Sequence, residues 1–278
     1  MTEPSPLSFF GPGLDPGPSF VELARQVRPS ILPGMGLVGL PREGQPLFGG
    51  DVPHGTTVVA IRYAGGVVMA GDRRATAGYS IASRRIEKVF PADELSGVAI
   101  AGAAGPAVEL VKLFQVQLEH YEKVQGEVLS LEGKANQLSQ LVRANLPAAM
   151  QGFVVVPLFA GFDEHREVGR VFSYDVTGGR YEEADFQTQG SGSVHARNWI
   201  KAAWREDLSA DDAVSLAIRA LFAAADEDVA TGGPDLVRRI FPTIARIDTN
   251  GYHALDESTV EALAEAALGG RERGGNTP

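Results

Sequence analysis

Thr56 stands where a side-chain hydroxyl could act as a nucleophile. It follows Gly55 and opens the β-branched run Thr-Thr-Val-Val-Ala-Ile, which predicts a strand. The chain has no cysteine, so thiolate nucleophiles, disulfides and thiolate metal sites are excluded. The five histidines, at positions 54, 120, 165, 195 and 253, show no metal-ligand spacing, and we expect neither a metal ion nor a cofactor. A hydrolase built on this chain therefore needs an organic nucleophile and an organic base, although a threonine at a strand start is more often an ordinary strand residue.

A carboxylate and a lysine follow within 32 residues of Thr56. Asp72 comes at the end of the second predicted strand, and Lys88 lies among apolar neighbours in residues 85–90. Strand alternation directs Lys88 to the same face as Ile86 and Phe90. If that face is interior, the buried ammonium must have a counter-charge, and Asp72 is a good candidate. Either charge taken alone is more often a solvated surface group.

The residues before Thr56 differ in character from those after it. Positions 1–55 hold ten of the 17 prolines and ten of the 33 glycines, with no sustained hydrophobic period. Such a segment buries too little apolar surface to offset its ordering cost. We therefore predict a removable leader at 1–55, a domain at 56–268 and a flexible tail at 269–278. A G-x-G-x-x-G match at 34–39 follows no strand and is soon interrupted by Pro41, so we reject it as a dinucleotide site.

Composition limits the partners of the chain. A net charge of −10 argues against a nucleic-acid or anionic-membrane partner, because both need a basic footprint. The longest apolar stretch, residues 152–162, is shorter than the roughly 20 residues that span a bilayer. The N-terminus lacks the basic start and apolar block of a signal peptide. Together with the absence of cysteine, this leads us to expect a cytoplasmic protein.

The elements that must position these residues fall into blocks. Strands are predicted at 56–62, 66–71, 98–101, 153–162, 170–175, 181–187, 242–248 and 252–255. Helices are predicted to begin at Pro106, at Leu131 (to Met150), at Ser193, at Ser209 and after residue 255. Blocks of strands alternating with pairs of helices favour an α+β fold, a four-layer αββα sandwich of two antiparallel sheets flanked by helices.

These motifs, in order and spacing across residues 56–255, resemble the proteasome β subunits, which are N-terminal-nucleophile hydrolases. The resemblance rests on Gly55-Thr56-Thr57, Gly71-Asp72-Arg73-Arg74, Lys88, residues 102–105, residues 190–193 and residues 228–233. The leader length and the Ala/Gly/Arg-rich composition look most like the actinobacterial 20S type. The resemblance implies that the catalytic group comprises Thr56, Asp72, Lys88, Ser191, Asp228 and Thr231, with the Gly102 N–H as oxyanion donor. Thr231 departs from the serine that is usual in the family.

The implied chemistry begins with cleavage between Gly55 and Thr56. Gly55 allows the tight backbone from which the Thr56 hydroxyl attacks its own preceding carbonyl. The freed α-amine of Thr56, with a pKa of about 7.7–8, then serves as general base. A Lys88 ammonium favours the neutral amine, and Asp72 keeps that lysine charged and oriented.

The resemblance also implies a substrate pocket and an assembly. The residues implied for the first specificity pocket are Ala75, Thr76, Ile86, Ile100, Ala104 and Val108. Apart from Thr76 they are apolar, which predicts cleavage after hydrophobic residues, although the same residues could simply be core. The implied partners are proteasome α subunits and further β subunits in four stacked seven-membered rings, an ATPase ring reached through the α subunits, and unfolded protein substrates. A silent structural ring subunit and a two-ring bacterial threonine protease are the alternatives.

Overall fold

The computed structural model describes residues 55–269. The predicted leader up to residue 54, with its glycine motif at 34–39, and residues 270–278 of the predicted tail lie outside the described residues. The strands in chain order are β1 (Thr57–Tyr63), β2 (Gly66–Gly71), β3 (Ala75–Ala77), β4 (Ser80–Ser83), β5 (Val89–Asp93), β6 (Ser96–Gly102), β7 (Val155–Asp163), β8 (Val168–Tyr174), β9 (Arg180–Glu183), β10 (Phe186–Gly190), β11 (Thr243–Asp248) and β12 (Gly251–Ala254).

The strands form two five-stranded antiparallel sheets and a small hairpin. The first sheet has the order β10-β1-β2-β11-β12, and the second has the order β5-β6-β7-β8-β9. Strands β3 and β4 pair only with each other. The predicted hairpin of β1 and β2 is present, with Val59 opposite Ala70.

The helices are α1 (Ala104–Gln125), α2 (Leu131–Ala144), α3 (Leu146–Ala149), α4 (Ser193–Ala203), α5 (Ala210–Glu227) and α6 (Glu257–Gly269). The predicted cap of α5 is present, because the Ser209 hydroxyl accepts a hydrogen bond from the Asp212 N–H at 3.1 Å. None of these helices is long and apolar enough to cross a membrane.

Three apolar clusters hold four layers together. Strand β1 shows why, since its side chains alternate: Val58 and Ala60 lie between the two sheets, whereas Val59 and Ile61 face α5. A third cluster joins the second sheet to α1 and α2 around Phe114. The architecture is therefore the predicted αββα sandwich, and both faces of each sheet are buried.

The chain departs from the predicted elements at four places. Residues 181–187, predicted as one strand, belong to β9 in the second sheet and β10 in the first. The predicted helix at 131–150 is divided at Asn145, because Pro147 has no N–H to continue the ladder. Helix α1 begins at Ala104, before Pro106, since a proline in the first turn removes no intrahelical bond. The short strands β3 to β5 were not predicted.

Candidate active site

Lys88 and Asp72 form a buried ion pair beside Thr56. The Lys88 side chain is 5% exposed and that of Asp72 is fully buried, with Nζ and Oδ1 2.7 Å apart. Of the two alternatives that the alternation left open for Lys88, the structure has the interior one, with Asp72 as the counter-charge. Residues 85–88 are extended chain before β5 rather than a paired strand. Lys88 Nζ also donates to the carbonyl oxygens of Arg74 at 2.6 Å and Gly55 at 3.0 Å.

Four donors hold the Asp72 carboxylate. Its Oδ1 accepts from the Thr57 N–H at 2.7 Å as well as from Lys88, and its Oδ2 accepts from the N–H groups of Arg74 at 2.8 Å and Gly232 at 2.9 Å. A buried carboxylate with this many donors is fixed in position. Asp72 therefore joins the end of β2 to the start of β1 and to the loop after α5.

The carbonyl oxygen of Gly55, which precedes Thr56 in the chain, receives two donors. The Thr56 hydroxyl donates to it at 2.6 Å, and Lys88 Nζ donates from 3.0 Å. Gly55 has a φ of +132°, a backbone conformation that residues with a side chain rarely adopt. A Cβ at this position would lie 2.6 Å from Thr76 Oγ1 and 2.8 Å from the Ala230 Cβ. Only glycine fits this site without displacing its neighbours.

Asp228 organises a second polar group near Thr56. Its Oδ2 accepts from the hydroxyls of Ser191 at 2.6 Å and Thr231 at 2.5 Å, and its Oδ1 accepts from the Ala230 N–H at 3.1 Å. The Ser191 N–H donates to the Thr56 carbonyl at 2.9 Å. The extra methyl of Thr231, relative to serine, leaves its hydroxyl bonded to Asp228.

Two charges in this site have shifted pKa values. Burial lowers the pKa of Lys88 below its usual range, although the neighbouring Asp72 opposes the effect. Burial raises the pKa of Asp228, but the hydrogen bonds from Ser191, Thr231 and the Ala230 N–H outweigh it and hold the pKa below its usual range. At neutral pH Asp228 is therefore an anion that can only accept hydrogen bonds.

A small cavity of about 30 Å³ opens at Thr56 and Lys88. Its wall contains five of the predicted pocket residues and the predicted oxyanion donor: Ala75, Ile86, Ile100, Ala104, Val108 and Gly102. Thr76 is not part of this wall and lies against Gly55 instead. The cavity is bounded by the end of β6, the first turns of α1 and the extended chain before β5, and its surface is largely apolar.

The sequence reasoning missed three residues of the cavity wall, Glu87, Phe90 and Ala107. Phe90 had a usable signal, because alternation already directed it to the face of Ile86 and Lys88. Ala107 lies one turn from Ala104 and one residue from Val108, but its small side chain gave no indication. Glu87 was directed to the opposite face, and its position follows from the irregular backbone before β5.

The four-layer sandwich defines the fold class of the N-terminal-nucleophile hydrolases. Residues 52–237 match the family described as proteasome subunit, and the chain belongs to that family. It is 56% identical over 269 residues to a proteasome subunit beta of Acidimicrobium ferrooxidans, covering 96% of each chain. It is also 54% identical to one of Acidothermus cellulolyticus (96% and 90% covered) and 53% identical to one of Streptomyces griseus (95% and 91% covered).

Proposed function

We propose that this chain is a catalytic β subunit of a 20S proteasome core, a threonine-type endopeptidase that is made as a zymogen. The observation that carries the proposal is the contact of both the Thr56 hydroxyl and the Lys88 ammonium with the carbonyl oxygen of Gly55. The hydroxyl lies beside the bond it would cleave, and the ammonium polarises that carbonyl.

The proposed self-cleavage is an acyl shift. Thr56 Oγ1 bonds to the Gly55 carbonyl carbon while its proton passes to the departing Thr56 nitrogen. The C–N bond breaks, leaving an ester and a free α-amine. Water then hydrolyses the ester and releases residues 1–55. The new amine is the general base for later substrates.

In the processed enzyme the same groups serve peptide hydrolysis. The Thr56 hydroxyl attacks the substrate carbonyl, the amine takes its proton, and Lys88 favours the neutral, proton-accepting form of the amine. Gly102 lies beside the cavity with a φ of +122°, and its N–H is the proposed oxyanion donor. Ser191 holds the carbonyl of Thr56, Asp228 holds the hydroxyls of Ser191 and Thr231, and Asp72 holds Lys88.

The apolar wall of the cavity supports a preference for hydrophobic residues before the cleaved bond. A panel of fluorogenic peptides with hydrophobic, basic and acidic residues at that position tests it. Fastest hydrolysis of the hydrophobic member is expected, and preference for a basic or acidic member would overturn this chymotrypsin-like assignment.

We propose that the protein is cytoplasmic. Its proposed partners are α subunits and further β subunits in stacked heptameric rings, with an ATPase ring that feeds unfolded proteins through the α rings.

The intact mass of the full chain, measured before and after mixing with its α subunit, tests the proposal. The Thr56→Ala variant is measured in the same way for comparison. Loss of residues 1–55 in the wild type alone is expected. An unchanged mass in an assembled ring would instead favour a silent structural subunit.

A further inference from the structure

Thr57, the residue after the proposed nucleophile, has a hydroxyl for which the proposed mechanism has no role. This residue is fully buried. Its Oγ1 accepts from the Gly192 N–H at 3.1 Å and lies 2.6 Å from Thr231 Oγ1. Neither contact is needed to hold a β-strand, because β1 already has strands β2 and β10 on either side.

The direction of the bond between the two threonines follows from their other partners. Asp228 can only accept, so the single proton of the Thr231 hydroxyl must point to Asp228 Oδ2 at 2.5 Å. Thr231 Oγ1 then has only lone pairs left for Thr57. Thr57 must therefore donate, and the hydrogen bonds run one way, from Gly192 N–H through Thr57 and Thr231 to Asp228.

The backbone of Thr57 is held by the other carboxylate of the site. Its N–H donates to Asp72 Oδ1 at 2.7 Å, and its carbonyl accepts from the Asp72 N–H at 3.1 Å. Thr57 thus connects the Asp72–Lys88 pair through its backbone to the Asp228 group through its hydroxyl.

We propose that Thr57 is a positioning residue whose hydroxyl donates to Thr231 and thereby strengthens the chain of hydrogen bonds that ends at Asp228. Donation by Thr57 polarises the Thr231 hydroxyl and makes it a stronger donor to the carboxylate. It also gives the buried Gly192 N–H a partner, which would otherwise be costly to bury. The inference rests on the proposed function for its catalytic consequence, but the hydrogen-bond direction can be tested without activity.

Two variants separate the hydroxyl from the shape of the side chain. Thr57→Val keeps the β-branched shape and removes the donor, whereas Thr57→Ser keeps the donor. The matched control is Thr188→Val. Thr188 is also buried in the first sheet, and its hydroxyl donates to the Ser193 carbonyl at 2.9 Å rather than to the Asp228 group.

The direct readout is the titration of the Asp228 carboxyl carbon by NMR in the full chain, assigned with Asp228→Asn. Other charges near Asp228 are Lys88 and His195, and none of the variants alters them. We expect Thr57→Val to raise the midpoint by about half a pH unit, because Asp228 loses part of its hydrogen-bond stabilisation. Thr57→Ser should restore the wild-type midpoint, and Thr188→Val should not move it.

The second readout is peptide hydrolysis by the assembled particle. Thr57→Val should lower kcat about three-fold with KM unchanged and move the acidic limb of the pH profile upward. A merely structural role would lower Tm in both valine variants and leave the Asp228 midpoint in place. An unmoved midpoint in Thr57→Val, or an equal shift in Thr188→Val, would overturn the inference. A wild-type particle without hydrolysis would sink the proposed function, while the NMR result would still decide the role of Thr57.

Discussion

At the scale of single residues, the proposed chemistry centres on the carbonyl oxygen of Gly55. Two donors converge on it, and one of them, Lys88, is a buried cation held by the carboxylate of Asp72. A preorganised charge in a site shielded from water acts more strongly than the same charge in solvent. Lys88 and Gly55 are therefore the residues at which small changes should have large effects.

Lys88→Met should abolish self-cleavage and lower peptide hydrolysis about 100-fold or more, because the cation on the reacting carbonyl is lost. Intact mass and a fluorogenic peptide measure the two effects. Lys134→Met is the matched control, since Lys134 is equally buried and pairs with Asp93 at 2.6 Å outside the cavity wall. The proposed role of Lys88 would be contradicted if Lys88→Met were processed normally, or if Lys134→Met alone lost self-cleavage.

Gly55→Ala should slow self-cleavage about 100-fold, because the new Cβ meets Thr76 and Ala230 and the backbone has a positive φ. The rate is followed as the appearance of processed mass after assembly. Gly105→Ala is the control, since its Cβ would meet no described atom within 4 Å. If Gly55→Ala is processed at the wild-type rate, the tight fit of Gly55 does not matter for the reaction.

The pKa of Lys88 predicts the alkaline side of the pH profile. Because burial lowers this pKa, Lys88 loses its proton at a lower pH than an ordinary lysine. The uncharged Lys88 side chain then no longer supplies a positive charge beside Thr56. Hydrolysis should therefore fall with increasing pH before the range in which exposed lysines titrate, and should recover on return to pH 8. A profile that stays flat until exposed lysines titrate would exclude this role.

At the scale of elements, α2 is tied to the second sheet by charge as well as by apolar packing. Arg170 on β8 is 5% exposed and contacts three carboxylates, Asp163 at 2.9 Å, Glu182 at 2.6 Å and Glu132 of α2 at 2.7 Å. Its guanidinium also lies 4.9 Å from the centre of the Phe172 ring. This network joins α2 to the three consecutive strands β7, β8 and β9.

Arg170→Met should lower the free energy of unfolding at pH 7 by about 2–3 kcal/mol. Breaking a buried pair costs about 3–5 kcal/mol, and the partial exposure of the two glutamates reduces the effect. Denaturant titration measures it, with the exposed pair of Arg205 and Asp207 as the control in Arg205→Met. Equal losses in the two variants would show that the network adds nothing beyond a surface pair.

The same network predicts how stability depends on pH. Hydrogen bonds from Arg180 to Glu132 and from Arg170 to Glu182 hold the pKa values of these carboxyls below their usual range. Burial raises the pKa of Asp163, but hydrogen bonds from Arg170 and from the N–H groups of Arg166 and His165 outweigh it and lower that pKa as well. Carboxylates with lowered pKa values stabilise the fold above their unfolded values, and this stabilisation is lost as the pH falls through the folded values. Arg170→Met should therefore lose less stability than the wild type on acidification from pH 6 to pH 3.

At the scale of the whole molecule, α1 presents three apolar side chains to solvent. Leu113, Val116 and Val124 are 49%, 60% and 62% exposed and lie on the solvent side of the helix, which also carries Glu109 and His120. Exposed apolar side chains grouped on one helix face are typical of an interaction surface. The proposed ring assembly supplies a reason for this face.

The double substitution Leu113→Glu with Val124→Glu should prevent formation of the large particle when the chain is mixed with its α subunit. Charges at a desolvated contact are costly, whereas on a solvated helix face they leave the fold intact. Light scattering after size exclusion measures the mass, and an unchanged Tm of the isolated chain is the control. A particle of full size would show that this face of α1 is not an assembly contact.

The sequence alone determined the fold class, and with the family resemblance it named most of the candidate site. The alternating strands, the cap at Ser209 and the buried Lys88 follow from period, side-chain chemistry and the cost of burying a charge, which are local or pairwise effects. The pocket residues came from the family resemblance, and five of the six line the cavity.

Only the tertiary structure decided which strands share a sheet and which way the hydroxyls point. Residues 181–187 divide between two sheets because alternation is the same in both, and pairing partners decide membership. The one-way chain from Gly192 through Thr57 to Asp228 joins segments about 170 residues apart. No local pattern encodes that direction, because it depends on which neighbours can only accept hydrogen bonds in the folded protein.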